Sequence, residues 1–386
     1  MKKSYSKSEI LTLEKEFFLW NIKYKGAFFW DYMRSKMTKQ YLPFTQRDMS
    51  FNFNDIWGFF LFISLFFRRK DCIFIVGRSE LLDYAEQIKT EFNLDNPYLF
   101  IRQENNKIKG NSKFIEGLRW AFRMLVHRFK KKAMREIENE IMQYVFIRDN
   151  FSRSEVKSTI RNFIGDVYFN FFLRRIIKGK VFYTNCVVPK VERSMQLLDS
   201  YEIQHGIVHD MHPDYYNIPM NYRFVAINDI TVNSLKKINF LGDVFKVNII
   251  YSEPHVKNKY DVIFFTTPCN DFSCEVENFI LKHKESKLNI KTQPHPKDNY
   301  NYSDFVDLIF GSKPSEGNIV VLSDSTLIFQ CINANKFFFL LNPMSKTSSI
   351  TYERIKEKYG ESVRFSIIES LDDESFCGEI KKIISC

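Results

Sequence analysis

Apolar residues in this chain alternate between two spacings, and each change of spacing marks a new element. In residues 1–70, Ile10, Leu13, Phe17 and Phe18 recur at three- and four-residue steps, which predicts helix. Residues 71–77 (DCIFIVG) form instead a short continuous apolar run closed by glycine, the pattern of a parallel strand buried on both faces. A helix over 80–92 and a strand over 97–101 follow. Phe114, Leu118, Phe122, Leu125, Phe129, Ile137 and Ile141 then share one face of a long predicted helix, and 155–177 continues in the same style. Strand and helix alternate again at 180–183, 192–198, 201–204, 223–227 and 231–237. A second series runs through strands 260–266, 288–292, 319–322 and 337–341, with helices at 274–283 and 327–334.

Repeated β-α-β order predicts two parallel-sheet α/β domains, because parallel neighbours need a crossover between them. The pattern restarts within 245–258, so residues 1–248 are expected to form an N-terminal α/β domain with helical additions. Residues 249–386 are expected to form a C-terminal α/β domain. The full length of 386 residues agrees with two cores rather than one.

Composition changes this picture little. With 45% hydrophobic and 26% charged residues the chain is globular, neither disordered nor fibrous. Its 40 phenylalanines fit A/T-rich coding, alongside abundant Lys, Asn, Ile and Tyr; surface aromatics at a membrane interface are the alternative. The seven cysteines are scattered and contain no C-x-x-C, so neither a disulfide framework nor a zinc site is expected. The opening segment, MKKSYSKSEILTLEKEF, lacks an apolar signal core, which predicts a cytoplasmic location. Residues 56–67 (IWGFFLFISLFF) are the most apolar run. As a helix they would span about 18 Å, well short of a hydrocarbon core of roughly 30 Å.

The net charge of +10 is concentrated in residues 113–180, in Arg119, Arg123, Arg128, the run Lys130 to Lys132, Arg135, Arg174 and Arg175. Such a cluster suits an anionic membrane surface or a phosphate-bearing acceptor, or is the solvated face of long helices. No helix-turn-helix, RNP-type or finger pattern accompanies it, so no nucleic-acid partner is expected.

Three short motifs carry the chemistry, and each follows a predicted strand, where ligands of open parallel sheets bind. Gln293-Pro294-His295-Pro296 holds a histidine between two prolines, which fix the backbone and remove amide donors. His295 is placed to bond a phosphate or protonate a leaving group near neutral pH, and Lys297 adds positive charge. Ser323-Asp324-Ser325-Thr326 opens a helix. Its hydroxyls at Ser323, Ser325 and Thr326 suit either capping or an anion, with Asp324 facing away. Gln204-His205-Gly206 begins a denser segment with His209, Asp210, His212, Asp214 and Tyr216. His205 is the first choice of general base, with Asp210, His209 and Asp214 as further candidates. A metal trio of His205, His209 and His212 is the weaker reading, three imidazoles in one loop being poor evidence for a site. No G-x-x-x-x-G-K-[ST] loop, G-x-G-x-x-G turn, G-x-S-x-G elbow or Asp-x-Asp pair is present.

The order Gln-His-Gly, His-Pro, Ser/Thr turn resembles bacterial glycosyltransferases of the GT-B fold, over about residues 200–345. In particular it resembles sialyltransferases and Kdo transferases of capsule and lipopolysaccharide synthesis, whose donors are CMP-sugars. His295-Pro296 matches their His-Pro motif and Ser325-Thr326 their Ser/Ser-Thr motif. Gln204-His205-Gly206 departs from the acidic motif of many sialyltransferases and is closer to Kdo and teichoic-acid polymer transferases. The resemblance implies two Rossmann-like domains facing a central cleft, and a metal-independent, inverting transfer with no cofactor besides the donor. It implies that Gln293, Pro296, Lys297, Ser323, Ser325 and Thr326 hold the nucleotide, with His295 assisting departure of its phosphate. His205 and Asp210 then serve the acceptor hydroxyl, with Gln204, Gly206 and His209 on the acceptor side. A saccharide or lipid-linked saccharide would be the acceptor, at the inner face of the cytoplasmic membrane. The rival donors are CMP-Kdo and CDP-polyols, and the rival class is a non-catalytic, membrane-associated assembly protein.

Overall fold

A computed structural model describes residues 5–38, 60, 63, 72–76, 82–94, 97–101, 113–184, 190–204, 208, 215–219, 222–247, 258–267, 269–295, 298–323, 325, 327–333, 336–341, 353, 355–356 and 363–384. The chain divides into two compact units, Met1–Ile249 and Ile250–Cys386.

The first unit opens on a helical layer. Helix Lys7–Glu16 begins at a capping box, in which the Ser6 hydroxyl accepts the Glu9 amide at 3.3 Å and the Ser6 amide donates to the Glu9 carboxylate at 2.9 Å. A two-residue hairpin, β1 (Lys23–Tyr24) and β2 (Ala27–Phe28), leads into helix Trp30–Thr38. These elements bury Ile10, Phe29, Trp30 and Met33 against Ile137, Ile141, Val156, Ile160 and Phe163 of later helices. The apolar run at 56–67 lies outside the described residues except for Phe60 and Ile63.

The long helix expected over 114–141 is two helices, Lys113–Phe129 and Lys131–Met142. The break falls at Lys130, whose φ of −123° and ψ of 32° leave the helical region. Apolar spacing continues across it, so the sequence pattern alone hides it. Helix Arg153–Ile176, capped by a second box at Ser152 and Glu155, runs antiparallel to the pair. Glu138 meets Arg153 and Lys157 near one end, and Arg119 and Arg123 meet Asp166 further along. Gly165 makes the close approach possible, since a β-carbon there would lie 2.5 Å from the Arg123 Cα.

Six parallel strands complete this unit: β3 (Cys72–Val76), β4 (Pro97–Ile101), β5 (Lys180–Thr184), β6 (Asp199–Ile203), β7 (Arg223–Ala226) and β8 (Val244–Lys246). Their order is β4-β3-β5-β6-β7-β8. The second unit holds β9 (Tyr260–Phe265), β10 (Ile290–Gln293), β11 (Gly317–Leu322), β12 (Phe338–Leu341) and β13 (Phe365–Ile368). All are parallel, in the order β10-β9-β11-β12-β13. Val262, Phe264, Val321, Phe339 and Leu341 pack from this sheet against Phe272, Val276 and Phe279 of helix Asn270–Lys282 and against Phe376 of helix Glu374–Ile384.

Counted from its own first strand, the first sheet reads 2-1-3-4-5-6 and the second 2-1-3-4-5. Both are doubly wound orders, and two such sheets in succession after a helical layer fit the GT-B-like class expected from the sequence.

Candidate functional site

In a sheet of this order the connections leave the first and third strands in opposite directions, opening a crevice beyond their carboxyl ends. In the second unit those strands are β9 and β11. Gln293, Phe265 and Leu322 share one rung of β10, β9 and β11. Pro294, Thr266 and Ser323 therefore emerge level with one another. Neighbouring strands lie about 4.8 Å apart, so the histidine motif and the hydroxyl turn are separated by roughly 10 Å across Thr266. One nucleotide-sized ligand spans that distance.

Thr266 is the centre of this end. Its hydroxyl accepts the His295 amide at 3.2 Å and donates to Asp298 Oδ2 at 2.6 Å. The same Asp298 oxygen accepts Ser273 at 3.0 Å and the Tyr302 hydroxyl at 2.9 Å, while Oδ1 accepts the Tyr300 amide at 3.0 Å. The Asp298 amide returns to the His295 carbonyl at 2.7 Å and closes the turn. His295 itself is half-buried. Burial pushes the Tyr302 hydroxyl up to about 12, so it stays a donor at neutral pH. Glu277 braces the far side of the loop. Bonds from Ser303 and Tyr300 hold its carboxyl below the usual range.

The predicted residues divide as follows. Gln293 turns its side-chain carbonyl to the Ser312 amide at 2.7 Å, which fastens the loop crossing the edge of β10. Ser325 accepts the Leu327 amide at 3.3 Å, a turn bond two residues along the chain that leads into helix Leu327–Asn333. Ser323 and Ser325 are both partly exposed beside the β9–β11 crevice. Pro296, Lys297, Asp324 and Thr326 lie outside the described residues.

In the first unit Gln204 directly follows β6, and His205, Gly206, His209, Asp210, His212 and Asp214 lie outside the described residues. Gln204 is fully buried. Its amide bonds the Val225 carbonyl and its side-chain oxygen accepts the Ile227 amide, both at 2.9 Å, so it ties the ends of β6 and β7 together. Beneath it lies an ionic layer with no forecast in the sequence. Arg193 reaches both Glu202 oxygens at 3.1 Å, and the Tyr215 hydroxyl donates to Glu202 at 2.7 Å. Burial works against the Arg193 charge, but Glu202 and the neighbouring tyrosines outweigh it and raise its pKa. This layer fixes the base from which the Gln204-His205-Gly206 segment departs.

Sequence reasoning missed Thr266, Ser273 and Asp298. A signal existed, because Thr266-Thr267 follows an apolar strand just as Ser323 does, and Asp298 stands three residues after His295. Among the described residues no group of three or more His, Cys, Asp or Glu side chains is placed to hold a metal. No described helix is long and apolar enough to cross a membrane. A surface depression of about 370 Å³, lined by Gln196, Asp199, Ser200, Tyr222 and Arg223, lies at the amino ends of β6 and β7, at the opposite end of the first sheet from Gln204.

No protein-family model matches the chain. No curated protein matches it either. Solved structures do. The UDP-GlcNAc 2-epimerase of Methanocaldococcus jannaschii, in complex with UDP-GlcNAc and UDP, is 10% identical with a TM-score of 0.43, over 82% of this chain and 92% of that one. The UDP-GlcNAc 2-epimerase from Neisseria meningitidis bound to UDP-GlcNAc is 9% identical with a TM-score of 0.40, over 81% and 91%. The glycotransferase of kitacinnamycin is 8% identical with a TM-score of 0.38, over 83% and 92%. Similarity at this level assigns this chain neither a family nor an activity.

Proposed function

We propose that the chain is an inverting, metal-independent glycosyltransferase that takes its sugar from a nucleotide donor. We further propose that the donor is CMP-sialic acid and the acceptor a galactose-type residue of a surface polysaccharide. The observation that carries this reading is the level emergence of the His295 loop, Thr266 and the Ser323–Ser325 turn at the crossover point of the second sheet. The hydroxyls of Ser323 and Ser325 and a histidine at that place suit a phosphate whose charge grows as its bond to the sugar breaks.

The reaction is a single displacement. A base in the segment from His205 to Asp210 takes the proton of the acceptor hydroxyl, whose oxygen forms the new bond to the anomeric carbon. The bond from that carbon to the CMP phosphate oxygen breaks, and His295 stabilises or protonates the departing phosphate. Gln293 and Asp298 act by holding the loop of His295. The enzyme works at the cytoplasmic face of a membrane, where its basic helices keep it near a lipid-linked acceptor.

Turnover of CMP-sialic acid, CMP-Kdo, CDP-glycerol, CDP-ribitol and a UDP-sugar with galactose-terminated acceptors tests the reading, with and without EDTA. Transfer from CMP-sialic acid that survives EDTA is the expected result. His295→Ala should lower its rate by about 10²-fold or more while leaving the circular dichroism unchanged. Transfer from another donor in the panel would replace the sialic acid assignment. No transfer, and no nucleotide that raises the melting temperature, would leave the chain as a non-catalytic assembly protein.

A further inference from the structure

Helix Lys113–Phe129 has an apolar face that no described element covers. Trp120, Met124, Leu125 and Phe129 are 54%, 43%, 52% and 75% exposed and spread over the solvent-facing half of the helix, Trp120 and Met124 towards one edge and Leu125 and Phe129 towards the other, with exposed Arg128 between them on the last turn. The other side is fully engaged. Val126 is buried, the Phe122 ring lies 5.7 Å from Phe169 and 5.4 Å from Phe172, and Arg119 and Arg123 clamp Asp166. The helix therefore carries large apolar side chains on both sides, one packed on helix Arg153–Ile176 and the other open to solvent.

Charge surrounds that face. Arg128, Lys131, Lys132 and Arg135 are exposed at its carboxyl end. Helix Arg153–Ile176 packs antiparallel to it and ends in exposed Arg174 and Arg175, which brings cations to the amino end as well. Among the described side chains of the two successive helices, the exposed acids Glu136 and Glu140 come on later turns, and Glu136 is 4.0 Å from Lys132. Aromatic and aliphatic side chains rimmed by Lys and Arg suit the boundary between head groups and acyl chains. A two-fold pairing of copies through this face would set cations against cations at both ends, whichever way the helices ran.

We propose that the face of Trp120, Met124, Leu125 and Phe129 is a membrane-binding surface that lies flat in an anionic phospholipid interface, with Arg128, Lys131 and Lys132 on the head groups. This deepens the membrane part of the functional reading by naming its surface, and it needs no nucleotide and no turnover. The test is co-sedimentation of the full chain with vesicles of phosphatidylcholine alone and with about one-third phosphatidylglycerol. Binding should be about tenfold or more stronger on the anionic vesicles, should weaken with salt and should shift Trp120 fluorescence to the blue. The double variant Trp120→Ala/Phe129→Ser should bind about tenfold less, and Arg128→Gln/Lys131→Gln/Lys132→Gln should lose the preference for anionic lipid. All five side chains are exposed, so unchanged circular dichroism and melting temperature are expected. Equal binding to both vesicles, binding unaffected by either variant, or no binding would overturn the proposal. So would a saturable dimer that the Trp120→Ala/Phe129→Ser variant abolishes. Vesicle binding without sugar transfer would retain the surface and remove only the catalytic reading.

Discussion

Two buried or half-buried acids organise this molecule residue by residue, each as the acceptor of several donors. Asp166 accepts both guanidinium groups of Arg119 and Arg123 and the Tyr32 hydroxyl, the last at 2.7 Å. Burial alone would raise its pKa, but the two arginines outweigh it and hold the carboxyl at about 2, against an ordinary 3.8. The folded-state value is the lower one. The stabilisation is therefore complete above about pH 4 and lost as pH falls towards 2, and it amounts to roughly 2 kcal/mol. Melting temperatures between pH 5 and pH 2 should show this loss, and Asp166→Asn should flatten that part of the profile. The same variant should cost about 2–3 kcal/mol at neutral pH, at or below the lower end for a broken buried pair because Arg119 and Arg123 keep 17% and 24% exposure. Around Asp298, Thr266→Val removes both the acceptor of the His295 amide and a donor to the carboxylate. It should lower stability by about 1–2 kcal/mol in urea denaturation, whereas Thr266→Ser should stay near the native value.

Among elements, the pairing of helices Lys113–Phe129 and Arg153–Ile176 has the least tolerance. Gly165→Ala would place a methyl 2.5 Å from the Arg123 backbone, so the helices must part along the Asp166 clamp. A loss of about 2 kcal/mol or more is expected, read from the shift in denaturation midpoint. The sequence announced most of these elements. The run Cys72–Val76 is apolar throughout and closed by glycine, and Tyr260–Phe265 is nearly so, with Val262 to Phe265 all buried as a strand covered on both faces requires. It hid the break at Lys130, where good helix formers stand on either side and the apolar spacing continues. It also hid β13, whose residues Phe365 to Ile367 are only half-buried at the sheet edge. That His295 and Ser323 stand just beyond strands was legible, Ser323 because it follows the apolar run Ile319–Leu322 and His295 because Pro294 and Pro296 end the strand before it. The link from Thr266 to Asp298 was not, since it joins residues 32 apart whose meeting depends on which strands become neighbours. Strand order is a property of the whole sheet and leaves no local trace.

For the whole molecule, the donor reading makes a thermodynamic claim. A ligand held at the β9–β11 crevice stabilises only the folded form. CMP at about 100 times its dissociation constant should therefore add roughly 2.7 kcal/mol, with the melting temperature rising with the logarithm of concentration. Calorimetry with CMP, CDP and UDP checks this, and His295→Ala should reduce the shift for the nucleotide that gives the largest one.

The two sheets also bear on ancestry. Both follow the order 2-1-3-4-5, the first with one strand more, so their strands can be matched one to one. Under that match the segment of His295 follows the second strand of its sheet, β10, whereas Gln204 follows the fourth strand of its own, β6. The counterpart of β10 is β4, which is followed by Arg102-Gln103 and no histidine. A gene duplication that copied one motif into the other would have left them on matching strands. Gln204-His205-Gly206 and Gln293-Pro294-His295 therefore follow non-equivalent strands, and their shared letters are not one motif repeated at matching places in the two sheets.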